Sequence, residues 1–172
     1  MAHPDFDLEA ALRNKQGIPL DRAHELIGKV LFTSAWRTLD EASVRRFRES
    51  IGNDPAEIDM TTCLTNPVGD ENVDGFMLLS LLQTFHFTDN PLYTWGMYGL
   101  NYGVEKVRFP APVFFGNRVR CHCVLDAVQP HAKGYVTTTT NTLELEGSDR
   151  PAIVATWQVL CVTPEPPDAL RS

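Results

Sequence analysis

The chain has 172 residues, 43% of them apolar and 22% charged, the profile of an ordinary water-soluble domain. One domain of this length buries roughly 70% of its unfolded surface. Fifteen basic against 22 acidic residues leave a formal charge of −7, which argues against nucleic acid or an anionic membrane as partner, since both need a basic surface. The longest apolar run, Gly75 to Phe87, is too short for a span of about 20 residues and contains Ser80, Gln83 and His86.

The first residues are acidic and lack the basic head and apolar run of an export signal. Four cysteines, Cys63, Cys121, Cys123 and Cys161, stand in a chain long enough not to need staples. They are read as reduced thiols of a cytoplasmic protein.

Residues 1–29 are read as an N-terminal extension whose role the sequence leaves open, with a helical stretch around Leu8 to Arg13 ended by Gly17 and Pro19. A single domain is expected over 30–163, followed by a short tail, 164–172. Val30 to Leu39 has the aromatic and β-branched content of a strand. Asp40 is placed as the N-cap of a helix running to about Ile51, with Val44 and Phe47 on one face, arginines on the other and Gly52 ending it. Asn53 to Val73 is rich in Asp, Asn, Thr and Pro and reads mainly as loop, and a loop of this length in a compact domain points to function.

Gly75 to Phe87 predicts a helix apolar almost all round, which belongs in the middle of a core. Strands are expected over Asn101 to Phe109, over Arg118 to Val128, where Val119, Cys121, Cys123 and Leu125 alternate with Arg118, Arg120 and His122, and over Tyr135 to Glu146 and Ala152 to Val162. This order predicts an α+β fold, a curved antiparallel sheet wrapped round one buried helix.

Two blocks carry a family likeness. GKVLFTSAWRTLDEASVRRFRESIGND (Gly28 to Asp54) resembles the entry strand and helix of MaoC/NodN-like hydratases. VDGFMLLSLL (Val73 to Leu82) followed by LNYGVEKVRFPAPVFFGNRVR (Leu100 to Arg120) resembles their central helix and next strand. The resemblance implies the hot-dog fold, a homodimer with the pocket near its interface, and reversible addition of water to an enoyl thioester. No separate cofactor is implied, although coenzyme A can be part of the substrate. In that family an Asp and a His, five positions apart after the first helix, handle the proton transfers. A His-Gly pair opens the central helix, whose N–H groups polarise the carbonyl.

Here the pattern departs. Aligned without a gap, Asn53 and Ile58 fall on the Asp and His; with one extra residue, Asp54 and Asp59 do, and this second alignment keeps Ile58 directly before Asp59. Neither supplies a histidine, and Asp74 replaces the His before Gly75. The candidate catalytic residues are therefore Asp54, Asp59 and Asp74, with Gly75, Asn101 and Tyr102 as substrate-binding residues. Each has a structural alternative: turn and cap residues for Asp54 and Asp59, an N-cap for Asp74, and a buried ring with its hydroxyl at the rim for Tyr102. Tyr93, Trp95 and Tyr98 either line a pocket or pack in the core.

His86 lies about three turns from Gly75, too far to replace the missing imidazole. His122 alternates away from Cys121 and Cys123, so no metal is expected. Hydratase-like lyase activity by carboxylate acid/base catalysis is the leading expectation. The alternatives are an isomerase or thioesterase with Asp74 as base or nucleophile, and a non-catalytic ligand-binding or heterodimer subunit.

Overall fold

The computed structural model describes residues 7–14, 16–53, 71–92 and 97–163. Chain order runs α1 (Leu8–Arg13), a 3-10 turn (Ala23–Leu26), β1 (Val30–Thr33), β2 (Arg37–Thr38), α2 (Glu41–Ser50), α3 (Gly75–Asp89), β3 (Tyr98–Arg108), β4 (Arg118–His131), β5 (Gly134–Leu145) and β6 (Ile153–Val162). The strands form one sheet in the order β1-β4-β5-β6-β3, with β2 also on β4, and every pairing is antiparallel. The sheet packs its inner face round α3, which gives the hot-dog fold that the resemblance implies.

The alternation read in β4 holds: Val119, Cys121, Cys123 and Leu125 are fully buried in the core. The threonine-rich β5 turns Thr137, Thr139 and Asn141 inward as well. Buried hydroxyls need partners, and the Thr137 and Thr139 Oγ1 atoms donate to the carbonyls of Val159 and Trp157 on β6. Asp40 caps α2 as expected, its carboxylate accepting from Ser43 N at 2.9 Å.

Two expectations need correction. The Val30–Leu39 stretch is not one strand but β1 and β2, separated by Ser34, Ala35 and Trp36. Ser34 N donates to the Cys121 carbonyl while Ser34 Oγ accepts from Cys121 N at 2.9 Å, so a serine side chain replaces a ladder bond and lets the edge bend. Nor is α3 enclosed all round. Met77, Leu78, Leu81, Leu82, Phe85 and His86 are buried, but Phe76 is 74% and Phe87 64% exposed. The sheet covers one side of the helix and leaves an apolar stripe open.

Residues 7–29, whose role the sequence left open, pack into the same core. Ala11, Ile18, Ala23 and Leu26 are fully buried, Ile18 N donates to Pro91 O, and Gly28 N donates to Leu125 O. They close the end of the barrel-like wrap at the C-terminus of α3. No helix among the described residues is long and apolar enough to cross a membrane.

Candidate functional site

The site is built at the N-terminus of α3. Asp74 occupies the N-cap position with extended backbone, but its side chain makes no capping hydrogen bond. Its Oδ2 instead accepts from Arg48 Nε at 2.8 Å, and Arg48 Nη2 also donates to the Asn72 carbonyl at 2.6 Å. The purely structural cap allowed for Asp74 is therefore not what the residue does. Arg48 reaches it because Val44, one turn earlier on α2, is buried and turns this face inward. Among the described residues no side chain accepts from the N–H groups of the first turn of α3, at the positive end of a 15-residue helix.

Gly75 leaves room for a ring. A Cβ on it would stand 2.9 Å from the Phe109 ring, which lies across the helix entry. The strap carrying Phe109 is fastened by Val73 N to Val113 O at 2.7 Å and by an Asn72–Phe114 bridge.

A groove of about 300 Å³ lies between α3 and the β3–β6 pair, lined by Phe76, Leu79, Ser80, Gln83, Asn101 and Trp157 among others. Its walls are mainly apolar, the usual character of a small-molecule site. Asn101 and Val104 both face it because of a bulge. Asn101 pairs with Val159 and Gly103 with Gln158, leaving Tyr102 as the extra residue. Simple alternation would put Asn101 and Val104 on opposite faces.

Of the candidate residues, Asn101 lines the groove, while Asp74 and Gly75 stand at the start of α3, next in sequence to the lining residue Phe76. Tyr102 lies elsewhere: it is 56% exposed, not buried with its hydroxyl at a rim, and its ring meets His131 edge-on at 6.1 Å. Tyr98 is exposed rather than in core or pocket. Asp54, Asp59, Ile58, Tyr93 and Trp95 fall outside the described residues. The described flanks of the 54–70 segment both meet Arg48, Asn53 through its N–H to the Arg48 carbonyl and Asn72 through its own carbonyl. Sequence reading missed Arg48, grouped with the outward arginines; its spacing of four from Val44 was the available signal. It also missed Gln83.

A second polar centre lies inside the core. His86 is 1% exposed, with its Nε2 2.7 Å from Asn141 Oδ1 and its Nδ1 3.0 Å from Asn90 Nδ2. Asn90 Oδ1 accepts from Leu92 N, which fixes its amide and makes Nδ2 the donor to His86 Nδ1. The neutral ring thus carries its proton on Nε2. Burial pushes the imidazole down to about 4, against a smaller opposing pull from the Asn141 hydrogen bond.

An acidic N-cap turned to an arginine, a glycine packed under the Phe109 ring and an apolar groove alongside the same helix sit together on a hot-dog fold. Comparison with known proteins agrees. The MaoC like domain matches residues 22–146. Nodulation protein N of Rhizobium leguminosarum bv. viciae is 36% identical over 135 residues, covering 76% of this chain and 83% of its own. 3-Hydroxyacyl-thioester dehydratase Z of Mycobacterium tuberculosis is 36% identical over 132 residues, covering 74% and 85%. In structure, the MaoC-like dehydratase of Rhodospirillum rubrum superposes with a TM-score of 0.62 at 16% identity, covering 82% of this chain and 94% of that one. The chain belongs to the MaoC-like hydratase and dehydratase family.

Proposed function

We propose that the protein is a lyase that adds water to, or removes it from, an acyl thioester, using carboxylates where the family uses imidazole. The observation that carries this reading is the start of α3, where Asp74 pairs with Arg48 at 2.8 Å instead of capping the helix, just before Phe76 of the apolar groove in sequence. A thioester carbonyl seated there accepts a hydrogen bond from the Gly75 N–H, and the charge that grows on its oxygen is stabilised by the first turn of the helix.

In the hydration direction one of Asp54 and Asp59 takes a proton from water as the water oxygen bonds to the β-carbon. The double-bond electrons move onto the carbonyl oxygen. The other carboxyl then delivers a proton to the α-carbon, closing the addition. Asp74, held by Arg48, shapes the helix entry, and Asn101 contacts the acyl chain. Coenzyme A enters as the thiol half of the substrate, with no separate cofactor.

A second copy of the chain is the natural partner. β3 is an edge strand with Tyr98, Leu100 and Tyr102 exposed, next to the open Phe76–Phe87 stripe of α3. An edge of this length and apolarity calls for cover. Tyr102 belongs to that interface in this reading. The free buried thiols Cys121, Cys123 and Cys161 suit a cytoplasmic protein.

Single Asp54→Asn and Asp59→Asn substitutions test the assignment. Each is expected to lower kcat for a short enoyl thioester by about 10²–10⁴-fold without changing the folded spectrum. Undiminished turnover in both variants removes the carboxylate mechanism, and release of free thiol points to thioester cleavage instead.

A further inference from the structure

The groove beside α3 is not a plain hydrocarbon slot. Phe76, Leu79 and Gln83 line it from the helix side, positions that share one helical face. Phe87 continues that face into an adjoining cavity of about 30 Å³. Gln83, Asn101 and Trp157 line both spaces and so stand at their junction. Neither the Gln83 nor the Asn101 carboxamide makes a hydrogen bond to another described residue. The other polar side chain on this wall, Ser80, already gives its hydroxyl proton to the Met77 carbonyl at 2.7 Å.

Gln83 lies eight residues beyond Gly75, about 12 Å along the helix axis. A bare hydrocarbon laid over the junction would strip water from two carboxamides and return nothing, at a cost of roughly tenfold in affinity for each. A hydroxyl or keto oxygen at the same depth would satisfy them, because a carboxamide both donates and accepts.

We infer that the groove takes an acyl chain bearing a hydroxyl or keto group part-way along its length, read by Gln83 and Asn101 as specificity-determining residues. The inference rests on the thioester reading for its orientation, carbonyl at Gly75 and tail toward Phe87. The bulge at Tyr102 belongs to the same device, since it is what turns Asn101 and Val104 to the groove together.

The test uses saturated, unreactive N-acetylcysteamine thioesters of equal length, one plain and one hydroxylated about 12 Å from the carbonyl. Both are titrated calorimetrically into the full chain and into the Gln83→Leu and Asn101→Leu variants. The hydroxylated ligand is expected to bind the unaltered protein at least about tenfold more tightly. Either substitution should lower that preference by about tenfold, with the plain ligand gaining. Equal binding of the two ligands, no binding of either, or a preference that neither substitution lowers overturns the inference. A crotonyl thioester, too short to reach Gln83, reports separately on hydration. Its turnover alongside any of those results sinks the inference and leaves the proposed lyase standing.

Discussion

A histidine inside a hydrocarbon core is an expensive residue, and His86 is held neutral by its surroundings. Phe32 and Trp157 meet its ring edge-on at 5.1 and 4.7 Å, and both nitrogens are occupied by amides. Its pKa of about 4 in the folded protein lies below the ordinary 6.5, so between these values the unfolded chain binds the proton more readily. The stabilisation is complete above about pH 6.5 and is lost as pH falls towards 4, amounting to about 3 kcal/mol. Urea unfolding across that window should show this slope, and a His86→Gln variant should flatten it; an equal slope in both would remove His86 as its source.

Burial raises the thiols of Cys121 to about 12 and Cys161 to about 11, and raises Cys123 as well. These three should therefore resist a thiol reagent in the native protein. At most one equivalent is expected to react before unfolding and four after it, with early reaction of more than one contradicting the packing of β4 and β6. Inward-facing cysteines were legible from the alternation of β4. The polar embedding of His86 was not, because Asn90 and Asn141 come from distant parts of the chain and only the fold brings them to one ring.

At the scale of the element, α3 shows why sequence reading ran ahead of the structure. A helix apolar on every side was taken to need cover on every side, yet its hydrophobic residues split between the sheet-facing side and an open stripe. Periodicity cannot separate a stripe buried by the chain's own sheet from one left for another surface. The start of α3 was legible as a position, with Asp74 before Gly75. That Arg48 would draw the carboxylate off the helix was not, since it depends on how α2 is laid against α3. Gly75→Ala should leave the helix intact, alanine being the better helix former, while pushing the Phe109 ring off the helix entry. A loss of up to about a hundredfold in kcat/KM with little change in melting temperature is expected. Full activity in that variant would show that the ring does not shape the site. The bulge at Tyr102 left no mark that sequence reading used, and it decides which side chains of β3 meet the groove.

For the whole molecule, the order of strands and helices was legible almost from end to end, because alternation, caps and turn glycines agree with the fold. The N-terminal residues were the exception: short and weakly patterned, they reveal their role only as the buried Ile18, Ala23 and Leu26 that seal one end. Among the described strands β3 forms one edge of the sheet. Leu100→Lys should keep the protomer folded but shift it from dimer to monomer in sedimentation, with loss of activity if the groove is completed across the interface. A wild-type protein that sediments as a monomer at every concentration would contradict this account of the edge.

The claim on which the functional reading turns is that the free N-terminus of α3 activates a thioester carbonyl for addition of water. Incubating the protein with a short trans-2-enoyl thioester in deuterated water and following the product by NMR tests it directly. The account predicts a 3-hydroxyacyl thioester with deuterium at the α-carbon and the thioester intact. Unchanged enoyl substrate, or a free thiol and carboxylic acid in its place, would contradict it.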